Sequence, residues 1–88
     1  MKTPLRLLHL EDDPLDAELI TTTLTQGNIP CQSQLVYTRQ AFVAALKEGQ
    51  MDLILADYSI PGFDGMTALT LARQHCPDVP FLFVSATI

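Results

Sequence analysis

Three carboxylates stand at places in this chain where they could share one piece of chemistry. Asp57 follows the apolar run 53–56, and Glu11 and Asp12 follow the apolar run Leu5–Leu10. A proline–glycine turn comes after Asp57, and Asp64 already provides a good cap for the next helix. Helix capping is therefore a weak explanation for Asp57, and its position favours a chemical role.

The two apolar runs show how these acids could meet. Each run is short and almost wholly apolar, which is typical of a strand buried on both faces of a sheet. In a parallel sheet the carboxyl ends of all strands lie at one edge, and open α/β sheets bind ligands there. Three carboxylates at that edge need a counter-charge if all are to stay ionised. Because every ligand is an oxygen, the pattern predicts a magnesium site rather than a zinc site.

The rest of the chain alternates apolar runs with segments of helical periodicity. The predicted strands are Leu5–Leu10, 31–37, 53–56 and 81–86. The predicted helices are capped by Asp13, Thr38 and Asp64 and end near Gln26, Gly49 and Pro77. One face of the first helix is expected to carry Leu15, Leu19, Ile20 and Leu24. This alternation predicts an α/β fold, a flavodoxin-like open parallel sheet of strand order 2-1-3-4, with one helix on one face and two on the other.

Composition excludes several classes of function. The 88 residues suffice for one domain, and a net charge of −5 with scattered basic residues argues against direct nucleic-acid binding. No segment has the length of a membrane span or the pattern of a signal peptide, so a cytoplasmic protein without membrane contact is expected. Cys31 and Cys76 lack the spacing of a zinc site. His9, inside a core strand, is expected to be a buried histidine with satisfied hydrogen bonds.

Three motifs together resemble the receiver domain of two-component response regulators. They are the acid pair in "LLHLEDDP", the segment "LILADYSIPGFDG", and "VPFLFVSA" with its hydroxyl residue before alanine. Each motif alone is modest, but their order and spacing agree, and the match extends over essentially the whole chain. The resemblance implies a phosphoacceptor module of a phosphorelay, which receives a phosphoryl group from a histidine kinase or a phosphotransfer protein.

The resemblance also implies a role for each site residue. Asp57 would accept the phosphoryl group, and Asp12 and Asp57 would bind Mg²⁺ directly, with the backbone carbonyl of Ser59 as a third ligand. Glu11 would hold a metal-bound water, and Ser85 would donate a hydrogen bond to a phosphoryl oxygen. No enzyme activity is expected beyond phosphoryl transfer to the domain itself and its autodephosphorylation.

The chain departs from the receiver pattern after its fourth predicted strand. A receiver has five strands and five helices, so residues 1–88 are expected to form the N-terminal part of a receiver domain. They lack the lysine after the fifth strand and the aromatic switch residue that the family carries. The open edge of the fourth strand is expected to favour self-association.

Two interpretations stay open. The complete acid set favours a module that signals by phosphorylation, and the missing lysine favours a receiver-like interaction module that works without it. A hydrolase with Asp57 as nucleophile is disfavoured, because Ser59 stands where phosphatases of that type need a second acid.

Overall fold

The computed structural model describes residues 4–58 and 60–84. Within those residues, strands and helices alternate along the chain. The elements are β1 (Leu5–Leu10), α1 (Pro14–Gln26), β2 (Cys31–Val36), α2 (Arg39–Glu48), β3 (Leu53–Asp57), α3 (Gly65–His75) and β4 (Phe81–Val84). The predicted elements are confirmed, with the differences that β2 ends at Val36 and that Asp57 is the last residue of β3 rather than the first residue after it. Residues 85 and 86 of the predicted fourth strand lie outside the described residues. No helix in this part of the chain is long and apolar enough to cross a membrane.

The four strands form one parallel sheet in the order β2-β1-β3-β4, as predicted. The register places Leu10 opposite Val36 of β2 and Ala56 of β3. On the other side of β3, Asp57 lies opposite Val84 of β4. The carboxyl ends of β1 and β3 are therefore immediate neighbours, and the residues that follow them share one edge of the sheet.

Alternation along the strands divides the apolar residues between two faces. Leu8, Leu10, Ile54 and Ala56 pack in one buried cluster with the inner residues of α2 and α3, among them Phe42, Leu46, Ala68 and Ala72. The intervening strand residues face the other way, where Leu7, His9 and Leu55 are buried. Helix α1 lies on this second face against β2, with Ala17 as its buried residue. The prediction that one helix lies on one face of the sheet and two helices lie on the other is confirmed.

Side-chain caps fix where each helix begins. The Asp13 carboxylate accepts a hydrogen bond from the Leu15 N–H at 2.9 Å, and the Thr38 hydroxyl oxygen accepts one from the Ala41 N–H at 3.1 Å. Asp64 accepts one from the Met66 N–H at 3.4 Å. Because Asp13 caps α1, this helix starts directly beside the carboxyl end of β1.

The exposure of the apolar residues of α1 differs from the prediction. Leu15 and Leu19 are 74% and 57% exposed, although they were expected to contribute to a common apolar face toward the sheet. The small Ala17 faces the sheet instead, on the opposite side of the helix from Leu15. Met66 and Phe83 are also exposed, at 51% and 39%. Periodicity identified α1 as a helix, but it did not identify which side the sheet covers.

His9 is buried as predicted, but its hydrogen bonds are not satisfied. It is fully inaccessible to solvent, and neither ring nitrogen has a hydrogen-bond partner among the described residues. Burial lowers the pKa of His9 from 6.5, while the negative charge of Asp57 acts in the opposite direction. The imidazole is thus held neutral at a cost in stability, since unpaired polar atoms in a core are unfavourable.

The substitution His9→Leu is expected to stabilise the fold by on the order of 1 kcal/mol, because it removes two unpaired polar atoms at similar volume. The pH dependence should change as well. A lowered pKa means that the unfolded chain binds the proton more readily, so wild type loses stability as pH falls below about 6.5. Urea unfolding from pH 5 to 8 would measure both effects, with His75→Leu as the exposed-histidine control. A less stable His9→Leu protein at pH 7 would contradict this account.

Candidate functional site

The three predicted carboxylates meet at the carboxyl edge of the sheet. Glu11, Asp12 and Asp57 each contribute one carboxylate oxygen to a cluster, and these three oxygens all lie within 4.8 Å of one another. The pairing of β1 with β3 causes this meeting, because Leu10 and Ala56 are register partners and the acids follow them in each strand. Three oxygen ligands at this separation can hold a divalent cation.

The three acids differ in their exposure to solvent. Glu11 is only 3% exposed, Asp57 is partly buried and Asp12 is exposed. The Glu11 N–H donates to the carbonyl oxygen of Val36 at 2.9 Å, which extends the β1–β2 ladder and directs the side chain inward. One Glu11 carboxylate oxygen also accepts a hydrogen bond from the Asp13 N–H at 3.4 Å. Solvent therefore reaches the site at Asp12 and in part at Asp57, whereas Glu11 is shielded.

Burial and neighbouring acids change the protonation of Glu11. Burial is the largest cause and, together with hydrogen bonding to Asp57 and Asp12 and the charge of Asp57, raises the pKa of Glu11 to about 7. The hydrogen bond from the Asp13 N–H lowers the pKa of Glu11, but its effect is smaller than that of burial. Near neutral pH Glu11 of the metal-free site is therefore partly protonated, and a bound cation would displace that proton.

None of the groups that shift the pKa of Glu11 is a cation. An ion pair between described residues lies elsewhere, between Arg6 and Asp52, whose Nη2 and Oδ1 atoms are 3.1 Å apart. Arg6 is near the start of β1 and Asp52 just precedes β3, so the pair lies toward the opposite edge of the sheet. This ion pair therefore lies away from Glu11.

Ser59 and Ser85, the predicted carbonyl ligand and phosphoryl contact, lie outside the described residues. Their roles stay predictions. The structure does describe the residue between Asp57 and Ser59, and sequence reasoning gave Tyr58 no role.

Tyr58 forms part of an aromatic contact beside the site. Its ring meets that of Phe83 edge-to-face, with centroids 5.1 Å apart. Gly65 lies under this pair, because a Cβ atom there would be 3.0 Å from Phe83 Cε1 and 3.3 Å from Tyr58 Cδ2. The sequence predicts a helix cap at Asp64, and the structure has it there. The need for space at Gly65 depends on residues distant in sequence and was missed.

Similar proteins of known sequence include a transcription factor and a metabolism activator. The chain is 31% identical over 83 residues to transcription factor prr1 of Schizosaccharomyces pombe, covering 94% of this chain and 15% of the relative. It is 34% identical over 84 residues to the glycerol metabolism activator of Pseudomonas putida, covering 92% of this chain and 37% of the relative. The chain therefore matches well under half of the length of either relative.

Solved structures show the same fold. A response regulator from Hahella chejuensis superimposes with a TM-score of 0.81 at 24% identity, over 96% of this chain and 65% of that one. A second similar structure is the receiver domain of sensor histidine kinase PA1611 from Pseudomonas aeruginosa, solved with a magnesium ion in its active site cleft. It superimposes with a TM-score of 0.78 at 24% identity, over 97% of this chain and 70% of that one. The model of the response regulator receiver domain family matches residues 7–88. The chain therefore belongs to the response regulator receiver domain family.

Proposed function

We propose that Asp57 is the phosphoacceptor of this receiver and that Mg²⁺ binds between Asp57, Asp12 and Glu11. The observation that carries the proposal is the convergence of these three carboxylates within 4.8 Å at the carboxyl edge of the sheet. Asp57 suits the acceptor role because it ends β3 and is partly exposed, so a phosphodonor can approach it. Asp12, the most exposed of the three, suits a direct metal ligand.

The proposed transfer forms one bond and breaks another. A carboxylate oxygen of Asp57 attacks the phosphorus of a phosphohistidine on a histidine kinase or phosphotransfer protein. The P–N bond breaks, its electron pair returns to the imidazole nitrogen, and that nitrogen takes a proton from solvent. Bound Mg²⁺ would offset negative charge on the transferring group. Asp12 and Glu11 would position the cation, and the resemblance adds Ser59 as carbonyl ligand and Ser85 as phosphoryl contact.

A cytoplasmic N-terminal receiver segment of a longer regulator is part of this proposal. The chain covers only 15% of the length of prr1 and 70% of the solved PA1611 receiver domain, which supports a segment of a longer regulator. Cys31 and Cys76 form no disulfide, which supports a location in the cytoplasm. Self-association through the edge of β4 remains a prediction.

Beryllofluoride, a tetrahedral mimic of a carboxylate-bound phosphoryl group, tests the site without turnover. With MgCl₂ present, the wild-type chain is expected to give a protein-bound ¹⁹F resonance that disappears in Asp57→Asn and on removal of the metal. Failure of wild type to bind beryllofluoride at saturating Mg²⁺ would instead favour the interaction module that works without phosphorylation.

Magnesium affinity is expected to rise with pH up to about 7, the pKa of Glu11 in the metal-free protein. Because the cation favours the ionised carboxylate, affinity should change by up to about tenfold per pH unit below that pKa and level off above it. Glu11→Gln should flatten this profile. Calorimetric titration in two buffers of different ionisation enthalpy would detect the released proton. Equal proton release in Glu11→Gln and wild type would show that another group titrates.

A further inference from the structure

Tyr58 lies beside the proposed acceptor, and neither the core nor the proposed function uses it. It directly follows Asp57, the last residue of β3, and it is 56% exposed. In the described residues, the ladder between β3 and β4 reaches the pair of Asp57 and Val84 and includes no partner for residue 58. The position of Tyr58 therefore depends on its side-chain contacts rather than on strand pairing.

The ring of Tyr58 packs on one side against β4. It meets Phe83 edge-to-face, with centroids 5.1 Å apart and planes at 68°. Phe83 in turn meets Phe81 of the same strand at 5.1 Å and 76°. Edge-to-face contacts of this kind are favourable and have a defined geometry. Because Phe83 lies opposite Ala56 in the β3–β4 register, the ring contact ties the residue after β3 to a paired position of β4.

The start of α3 holds Tyr58 from a second direction. Gly65 is the first residue of α3 and is buried. A Cβ atom at Gly65 would be 3.3 Å from Tyr58 Cδ2 and 3.5 Å from the Tyr58 carbonyl oxygen. Both the ring and the backbone of Tyr58 therefore lie against the first turn of α3. The hydrogen bond from the Met66 N–H to the Asp64 carboxylate fixes that turn in place.

Among the three acids of the cluster, Asp57 comes from a different strand than the other two. Glu11 and Asp12 follow β1, and Glu11 is held by its N–H bond to Val36 at 2.9 Å and by the Asp13 N–H at 3.4 Å. The approach of all three within 4.8 Å thus depends on where the end of β3 is held relative to β1. A cation binds at full affinity only when the groups around its ligands fix them in position.

We infer that Tyr58 is a positioning residue of the magnesium site, whose ring contacts with Phe83 and Gly65 hold Asp57 beside Glu11 and Asp12. This inference rests on the proposed function, because it concerns the same site. The contacts are made by the aromatic ring, so phenylalanine can replace Tyr58 in this role and a small side chain cannot.

Calorimetric titration with MgCl₂ tests the inference without relying on tyrosine fluorescence, which the variants would change. Tyr58→Ala is expected to bind Mg²⁺ about tenfold more weakly than wild type, because Asp57 loses its anchor. Tyr58→Phe should bind as tightly as wild type. Tyr37→Ala is the matched control, since Tyr37 directly follows β2 and is 60% exposed, and it should also bind as wild type.

A double-mutant cycle tests whether Phe83 acts through Tyr58. Phe83→Leu removes the partner ring and is expected to weaken Mg²⁺ binding about threefold. The double variant Tyr58→Ala/Phe83→Leu should bind no more weakly than Tyr58→Ala alone, because the contact is already lost. Circular dichroism of each variant would confirm that the fold is retained.

The outcomes separate this inference from the proposed function. Wild-type affinity in folded Tyr58→Ala, or in Phe83→Leu, would overturn the positioning role and leave the metal site intact. Equal losses in Tyr58→Phe and Tyr58→Ala would assign the effect to the hydroxyl group and overturn a role for the ring. Additive losses in the double variant would show that Phe83 does not act through Tyr58. A wild-type chain that binds no Mg²⁺ would overturn the inference together with the proposed function.

Discussion

Asp57→Asn is expected to lose the acyl phosphate that the wild-type chain forms with acetyl phosphate and MgCl₂. The carboxylate oxygen is the nucleophile, and an amide cannot replace it, so labelling should fall by on the order of 100-fold or more. Intact-mass spectrometry would count the phosphoryl groups, and loss of the adduct in acid and in base would identify an acyl phosphate.

Asp64→Asn is the matched control for this experiment. It makes the same chemical change in the loop after β3, and asparagine caps a helix as well as aspartate does, so labelling should persist. An adduct retained in Asp57→Asn would show that another acid is the acceptor.

Asp12→Ala is expected to weaken Mg²⁺ binding by about 10- to 100-fold, and Glu11→Gln by less. The alanine variant loses an exposed ligand and one charge of the cluster, whereas glutamine keeps an oxygen in place. The chain has two tyrosines and no tryptophan, and Tyr58 directly follows Asp57, so tyrosine fluorescence can report the titration. Asp16→Asn, an acid of α1 outside the cluster, is the control. Unchanged affinity in Asp12→Ala would remove this residue from the metal site.

Local patterns were sufficient to predict the sheet and the meeting of the acids. Short apolar runs identified the strands, and caps at Asp13, Thr38 and Asp64 identified the helix starts, because both depend on neighbours in sequence. The position of Asp57 at a strand end then brought it to the same edge as Glu11.

Burial at single positions could not be predicted in the same way. Glu11 is inaccessible because its backbone continues the ladder to Val36, a residue 25 positions away. The exposure of Leu15 and Leu19 depends on Ala17, which allows α1 to approach the sheet on its other side. His9 was expected to find partners, but the apolar neighbours that bury it provide none in the described residues. Each of these outcomes is decided by tertiary packing.

The small residue Gly65 accommodates a direct contact between the residue that follows the proposed acceptor and strand β4. Tyr58 is bonded to Asp57 through the backbone, and its ring rests on Phe83 of β4. A Cβ atom at position 65 would crowd both rings. A displacement of the chain at Asp57 therefore moves a ring that is in van der Waals contact with β4, without an intervening flexible element. A larger residue at position 65 would require Phe83 and Tyr58 to give way by a few tenths of an ångström, which would loosen the contact between the residue after the proposed acceptor and β4.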